Sequence, residues 1–61
     1  MEYLVTVYSP KHNSLHQESF CSNNSTIAIT RSLPNTFEYM QRRYGDDIEL
    51  VSVVQTQAEK N

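Results

Sequence analysis

The chain has one cysteine, one glycine, no tryptophan and five basic residues in 61 positions. Each scarcity closes off a class of protein. A lone Cys21 cannot form an internal disulfide, which excludes the stapled mini-proteins of oxidising compartments. A lone Gly45 cannot build the glycine-rich loop that cradles phosphates. Five Lys and Arg against seven Asp and Glu leave a formal charge of −2. Such a balance disfavours a nonspecific nucleic-acid binder, which displaces counterions with several clustered cations. It is also too mild for a DNA mimic. No run approaches the roughly 20 apolar residues that cross a bilayer, so no membrane association is expected. Met1 to Tyr8 lacks a basic region followed by a long apolar stretch, so a signal peptide is not expected either. The expected location is the cytoplasm, where the overlapping sequons at Asn23 and Asn24 have no route to glycosylation.

The rest of the composition is ordinary, 38% hydrophobic and 20% charged, with no low-complexity tract. The length allows one domain at most. We expect it to occupy residues 1–56, followed by a frayed polar tail at 57–61. A domain of this size hides only about 60% of the surface its unfolded chain exposes, so a partner or a second copy often adds burial.

Tyr3-Leu4-Val5-Thr6-Val7-Tyr8 is β-branched and aromatic, and reads as a strand ended by Ser9 and Pro10. Leu15 to Cys21 reads as a second, more polar edge strand, joined to the first by a hairpin loop of about four to six residues. Ser22-Asn23-Asn24-Ser25 then breaks the chain, and two continuations are open. In one, Asn24 or Ser25 caps a helix, and Ile29, Leu33, Phe37, Met40 and Tyr44 form a single apolar stripe. In the other, residues 26–30 form a further strand, and a helix starts after Pro34 with Asn35 and Glu38 as a capping pair. The unbroken stripe favours a helical segment from about Ser25 to Tyr44, bent or broken near Pro34 because a proline inside a helix removes a hydrogen bond. Gly45 sits where a left-handed C-cap belongs, and Arg42 and Arg43 complement the helix C-terminus.

Ile48 to Gln55 reads as the last strand, and apolar residues on both of its sides suggest a central position. The resulting class is α+β: a small antiparallel or mixed sheet of three strands, or four under the second continuation, with one helix across a face, in β-β-α-β order. The expected core is Phe20, Leu33, Phe37, Met40 and Leu50. A single helix covers one sheet face, and the remaining face is not fully polar, which points to a partner surface.

No constellation carries catalysis, so no enzyme is expected, and no metal or cofactor. His12, His16 and Cys21 are zinc-ligand types, but a strand over 15–21 sends His16 and Cys21 to opposite faces, and a structural site wants four ligands. Asp46, Asp47 and Glu49 lack calcium-loop spacing and read as a solvated turn. Tyr39, Arg42 and Arg43, near the helix end and off the core stripe, are residue types that dominate binding interfaces. With Tyr3 and Tyr8 on the sheet, they are the candidate partner-binding residues.

In size and in its strand-strand-helix-strand layout over Tyr3 to Gln55, the chain resembles small accessory proteins of phages and mobile elements, certain anti-CRISPR proteins among them. The resemblance implies a non-catalytic inhibitor or adaptor that binds a protein complex in the host cytoplasm, and it assigns no residue a role. The alternative is a small nucleic-acid-binding or transcription-modulating protein, as a monomer or a homodimer. It requires Lys11, Arg31, Arg42 and Arg43 to gather on one surface.

Overall fold

The computed structural model describes residues 1–56; the expected tail at 57–61 lies outside the described residues. Strand β1 (Glu2–Ser9) pairs antiparallel with β2 (Ser14–Cys21) on one side and with β3 (Glu49–Thr56) on the other, giving the order β2-β1-β3. The helical segment Ser25–Tyr44 lies between β2 and β3 in sequence. The architecture is α+β in β-β-α-β order, with an antiparallel sheet of three strands.

β1 takes the centre because neighbours on both sides can use its alternation. Tyr3, Val5, Val7 and Ser9 are buried on the helix side, and Thr6 is buried on the other. The last strand, expected to be central, is instead an edge. Its apolar residues on both sides reflect an irregularity: Thr6 pairs with Ser52 and Val7 with Leu50, so Val51 is an extra residue without its own partner. This β-bulge breaks the period of two. The core contribution of the region passes to Ile48, just before the strand, and to half-buried Val53. Leu50, expected in the core, is 48% exposed.

The β1–β2 hairpin turns through Pro10 to Asn13, with Asn13 at φ 52 and its N–H donating to the Pro10 carbonyl at 3.3 Å. Asparagine tolerates this left-handed conformation better than most residues. The buried Ser9 hydroxyl accepts the His12 N–H at 3.3 Å and bonds the His12 Nδ1 at 3.0 Å, which fixes the turn from inside.

The helical segment is continuous from Ser25, and the third-strand alternative for residues 26–30 does not occur. Asn24 caps it: the side-chain oxygen accepts from the N–H groups of Thr26 (2.8 Å) and Ile27 (3.1 Å). One α-turn, α1 (Ser25–Ile27), leads into a π-helical turn at Ala28–Ser32 and then α2 (Leu33–Tyr44). The wide turn answers the proline problem. Pro34 has no N–H to donate backward, and the Leu33 N–H reaches the Ala28 carbonyl, one residue further than in an α-helix. π-turns of this kind absorb one extra residue. The extra residue also rotates the preceding turn, so the stripe continues backward from Leu33 to Ala28 rather than to Ile29. Ala28 is fully buried, and Ile29, expected on the stripe, is 52% exposed. Asn35, the alternative cap, lies within α2.

The core is Val5, Val7, Met40 and Ile48, with Phe20, Leu33, Phe37, Tyr44 and Val53 packed around it. Gly45 ends α2 as expected, its N–H bonding the Gln41 carbonyl at 2.9 Å. Its φ of 124 and ψ of 152 differ from the left-handed helical cap, yet equally require glycine. A Cβ there would meet Asp47 Oδ1 at 2.8 Å.

Candidate functional site

The C-terminal turns of α2 are held against β2 by a chain of polar and aromatic contacts. The His16 ring stacks on the Tyr44 ring, with centroids 3.9 Å apart and planes within 5°. The Tyr44 hydroxyl donates to Glu18 Oε2 at 3.2 Å. The Ser14 hydroxyl bonds His16 Nε2 at 3.2 Å, and the His12 ring meets His16 edge-on at 6.4 Å. Strand alternation explains the set: Ser14, His16, Glu18 and Phe20 share the helix side of β2. Tyr44 is therefore half-buried with its hydroxyl at the rim.

On this platform the helix presents Tyr39, Arg42 and Arg43 outward. Spacings of three and four residues put them on one helical face. Tyr39 is 50% exposed. Arg43 lies over the Tyr44 ring, its guanidinium carbon 5.8 Å from the centroid, a cation–π contact. The Tyr44 hydroxyl beside it, and then that of Tyr39, push the Arg43 pKa further above its ordinary value. Arg43 is thus an exposed cation in contact with one aromatic ring. Arg42 differs: it pairs with Glu38 at 3.5 Å, both side chains largely exposed. Such surface pairs contribute little to stability, but this one sets a carboxylate beside the patch.

The other two candidates fare differently. Tyr3 is 5% exposed, on the helix side of β1, with its ring stacked on Phe20 at 5.1 Å. It is a packing residue, and its buried hydroxyl has no hydrogen-bond partner among the described residues. Tyr8 lies on the uncovered sheet face, half-buried, and its hydroxyl donates to Asn13 Oδ1 at 2.6 Å, so it also serves the turn.

His16 faces the helix, whereas Cys21 is an exposed thiol on the opposite sheet face, so the two are not brought together. Among the described residues no group of three or more His, Cys, Asp or Glu side chains converges. No helix among them is long and apolar enough to cross a membrane. Among the described residues the basic side chains sit on separate elements: Lys11 in the hairpin turn, Arg31 in the π-turn, and Arg42 and Arg43 near the end of α2.

A further surface feature was half legible: an outward, not fully polar sheet face was expected, but with Leu50 in the core. Leu50, Val51 and Val54 are all exposed along the β3 edge. Leu50 pairs with Val7 on the helix side and Val54 with Leu4 on the uncovered face, with Val51 the extra residue of the bulge, and all three lie on an edge strand. No family model matches the sequence, and no curated protein or solved structure matches it.

Proposed function

We propose that the chain is a small, non-catalytic protein-binding module that acts as an inhibitor or adaptor of a larger complex. The most concrete form of this reading is an anti-defence protein of the phage kind, anti-CRISPR included, working in the host cytoplasm. The observation that carries it is the Tyr39–Arg43 pair: a half-exposed aromatic ring and a cation that lies over the Tyr44 ring, on one helical face. Tyrosine and arginine bring large contact area at low entropy cost, and interface energy concentrates on such residues. Because Tyr44 and His16 hold Arg43's platform in place, less ordering remains for binding to impose.

The separation of the cations argues against nucleic acid as the partner. Arg42 is already paired with a carboxylate, which among the described residues leaves Arg43 as the unpaired cation of this face. Affinity for phosphates scales with the number neutralised together.

The test is affinity capture from host lysate by the tagged chain, with and without nuclease, read by mass spectrometry. Nuclease-resistant enrichment of one protein complex is the expected result. Enrichment that vanishes with nuclease would replace this reading with nucleic-acid binding.

A further inference from the structure

We propose that β3 is the seam of a homodimer, pairing antiparallel with β3 of a second copy to form one continuous six-stranded sheet, β2-β1-β3-β3′-β1′-β2′. A two-fold axis perpendicular to the sheet generates this arrangement and places both helices on the same face.

Among the described residues no strand pairs with the outer edge of β3, which runs along eight residues, a row about 27 Å long at about 3.4 Å per residue. Edges of this length are normally blunted by lysine, proline or dense charge. β3 has neither lysine nor proline, and its only charge is Glu49, at the first position. Leu50, Val51 and Val54 are exposed along this strand, Leu50 paired with Val7 on the helix side and Val54 with Leu4 on the uncovered side. The bulge at Val51 is the one blunting device present, and it leaves Ser52 to Thr56 in regular register with β1. The opposite edge is built differently. β2 carries Glu18 and His16 near its middle, and both are engaged by Tyr44.

Charge decides the occupant. An antiparallel pair centred anywhere from Ser52 to Val54 sets the two Glu49 carboxylates at opposite ends of the seam, at least about 20 Å apart by strand rise. The interior then pairs uncharged residues, with valines of one copy against those of the other, a favourable class of cross-strand contact. A second copy therefore fits this edge without any complementary charge. Recognition of a foreign strand draws specificity from pockets beside the edge, and here the flanking side chains protrude. A seam of one strand is small beside the roughly 800 Å² per partner of standard interfaces. The dimer is accordingly a weak, concentration-dependent one.

This inference is independent of the helix patch, which lies on a different element. The experiment is sedimentation velocity of the full chain in reducing buffer, so that Cys21 cannot cross-link, over about 1–500 µM, a range chosen to bracket the weak-interface class. Wild type should shift from monomer to dimer across the series. Val54→Lys should remain monomeric throughout with an unchanged circular-dichroism spectrum, and should still capture the same partner as wild type. If Val54→Lys alters the spectrum, Val51→Lys, at another exposed position on the edge, takes its place. A wild-type chain monomeric at every concentration would overturn the proposal. So would a dimer that both lysine variants leave intact, or a monomeric lysine variant that loses partner capture, which would assign the edge to a foreign strand.

Discussion

Met40→Ala tests the core and the phase of the helix together. Met40 is 0% exposed and packs with Val5, Val7 and Ile48. Truncation removes roughly three methylene equivalents, about 2.4 kcal/mol of transfer free energy at ~0.8 kcal/mol each. A residual void of about 40 Å³ would add about 1 kcal/mol at ~24 cal/mol per Å³. The sum, about 3–4 kcal/mol, falls within the range of methionine-to-alanine core changes. A domain of this length holds only about 3–9 kcal/mol in total, at roughly 0.05–0.15 kcal/mol per residue. The assay is urea unfolding followed by far-UV circular dichroism, where a lower midpoint at constant slope reports lost stability. Ile29→Ala is the companion variant. An uninterrupted α-helical stripe would make it a core change, but at 52% exposure it should shift stability by less than about 0.5 kcal/mol. A Met40→Ala loss under about 1 kcal/mol, or an equal loss from Ile29→Ala, would refute the packing described. If Met40→Ala does not fold, Met40→Leu keeps the volume and should cost less than about 1.5 kcal/mol.

Other outcomes follow from the same geometry. Ala28→Leu forces a large side chain into a fully buried position and should cost about 1–3 kcal/mol, read as a lower urea midpoint. Asn24→Ala removes the oxygen that accepts two N–H groups at the helix start, and should cost about 1 kcal/mol in the same assay. Gly45→Ala should destabilise by at least about 1 kcal/mol, because φ is 124 and the added Cβ meets Asp47; an unchanged midpoint would contradict the turn. Tyr3→Phe deletes a buried hydroxyl that has no hydrogen-bond partner among the described residues, so stability should hold or rise by about 1 kcal/mol, with partner capture unchanged.

Much of the fold was legible because local signals agreed with one another. Tyr3 to Tyr8 has strand chemistry on both faces, as a central strand requires. Asn24 stands at the correct distance before the apolar periodicity. Gly45 follows the last turn of the helix. Two things were not legible, and both are insertions of one residue into a regular period. The π-turn at Ala28–Ser32 moves the stripe from Ile29 to Ala28, and the bulge at Val51 breaks the alternation that put Leu50 and Val54 on one face, so that Leu50 pairs with Val7 and Val54 with Leu4. Pro34 announces that something must give in the helix, but not that a wider turn, rather than a kink or a break, resolves it. On the candidate surface, Tyr39, Arg42 and Arg43 were readable from spacing, because residues off an apolar stripe face away from the core. Tyr3 was misplaced because alternation identifies two faces of a strand without saying which one the helix covers. The His16–Tyr44 stack that steadies the patch joins residues of different elements, and no local pattern encodes that pairing.

The most direct test of the binding reading compares the wild-type chain with the Tyr39→Ala/Arg43→Ala double variant in nuclease-treated host lysate. Both side chains are exposed, so the variant's circular-dichroism spectrum and urea midpoint should match wild type. Loss of a hot-spot pair costs about 2 kcal/mol or more, roughly thirtyfold in affinity. The expected result is one protein complex retained by wild type and lost by the folded variant. Equal retention by both chains, or no nuclease-resistant complex with either, would contradict the claim that this helical face binds a protein partner.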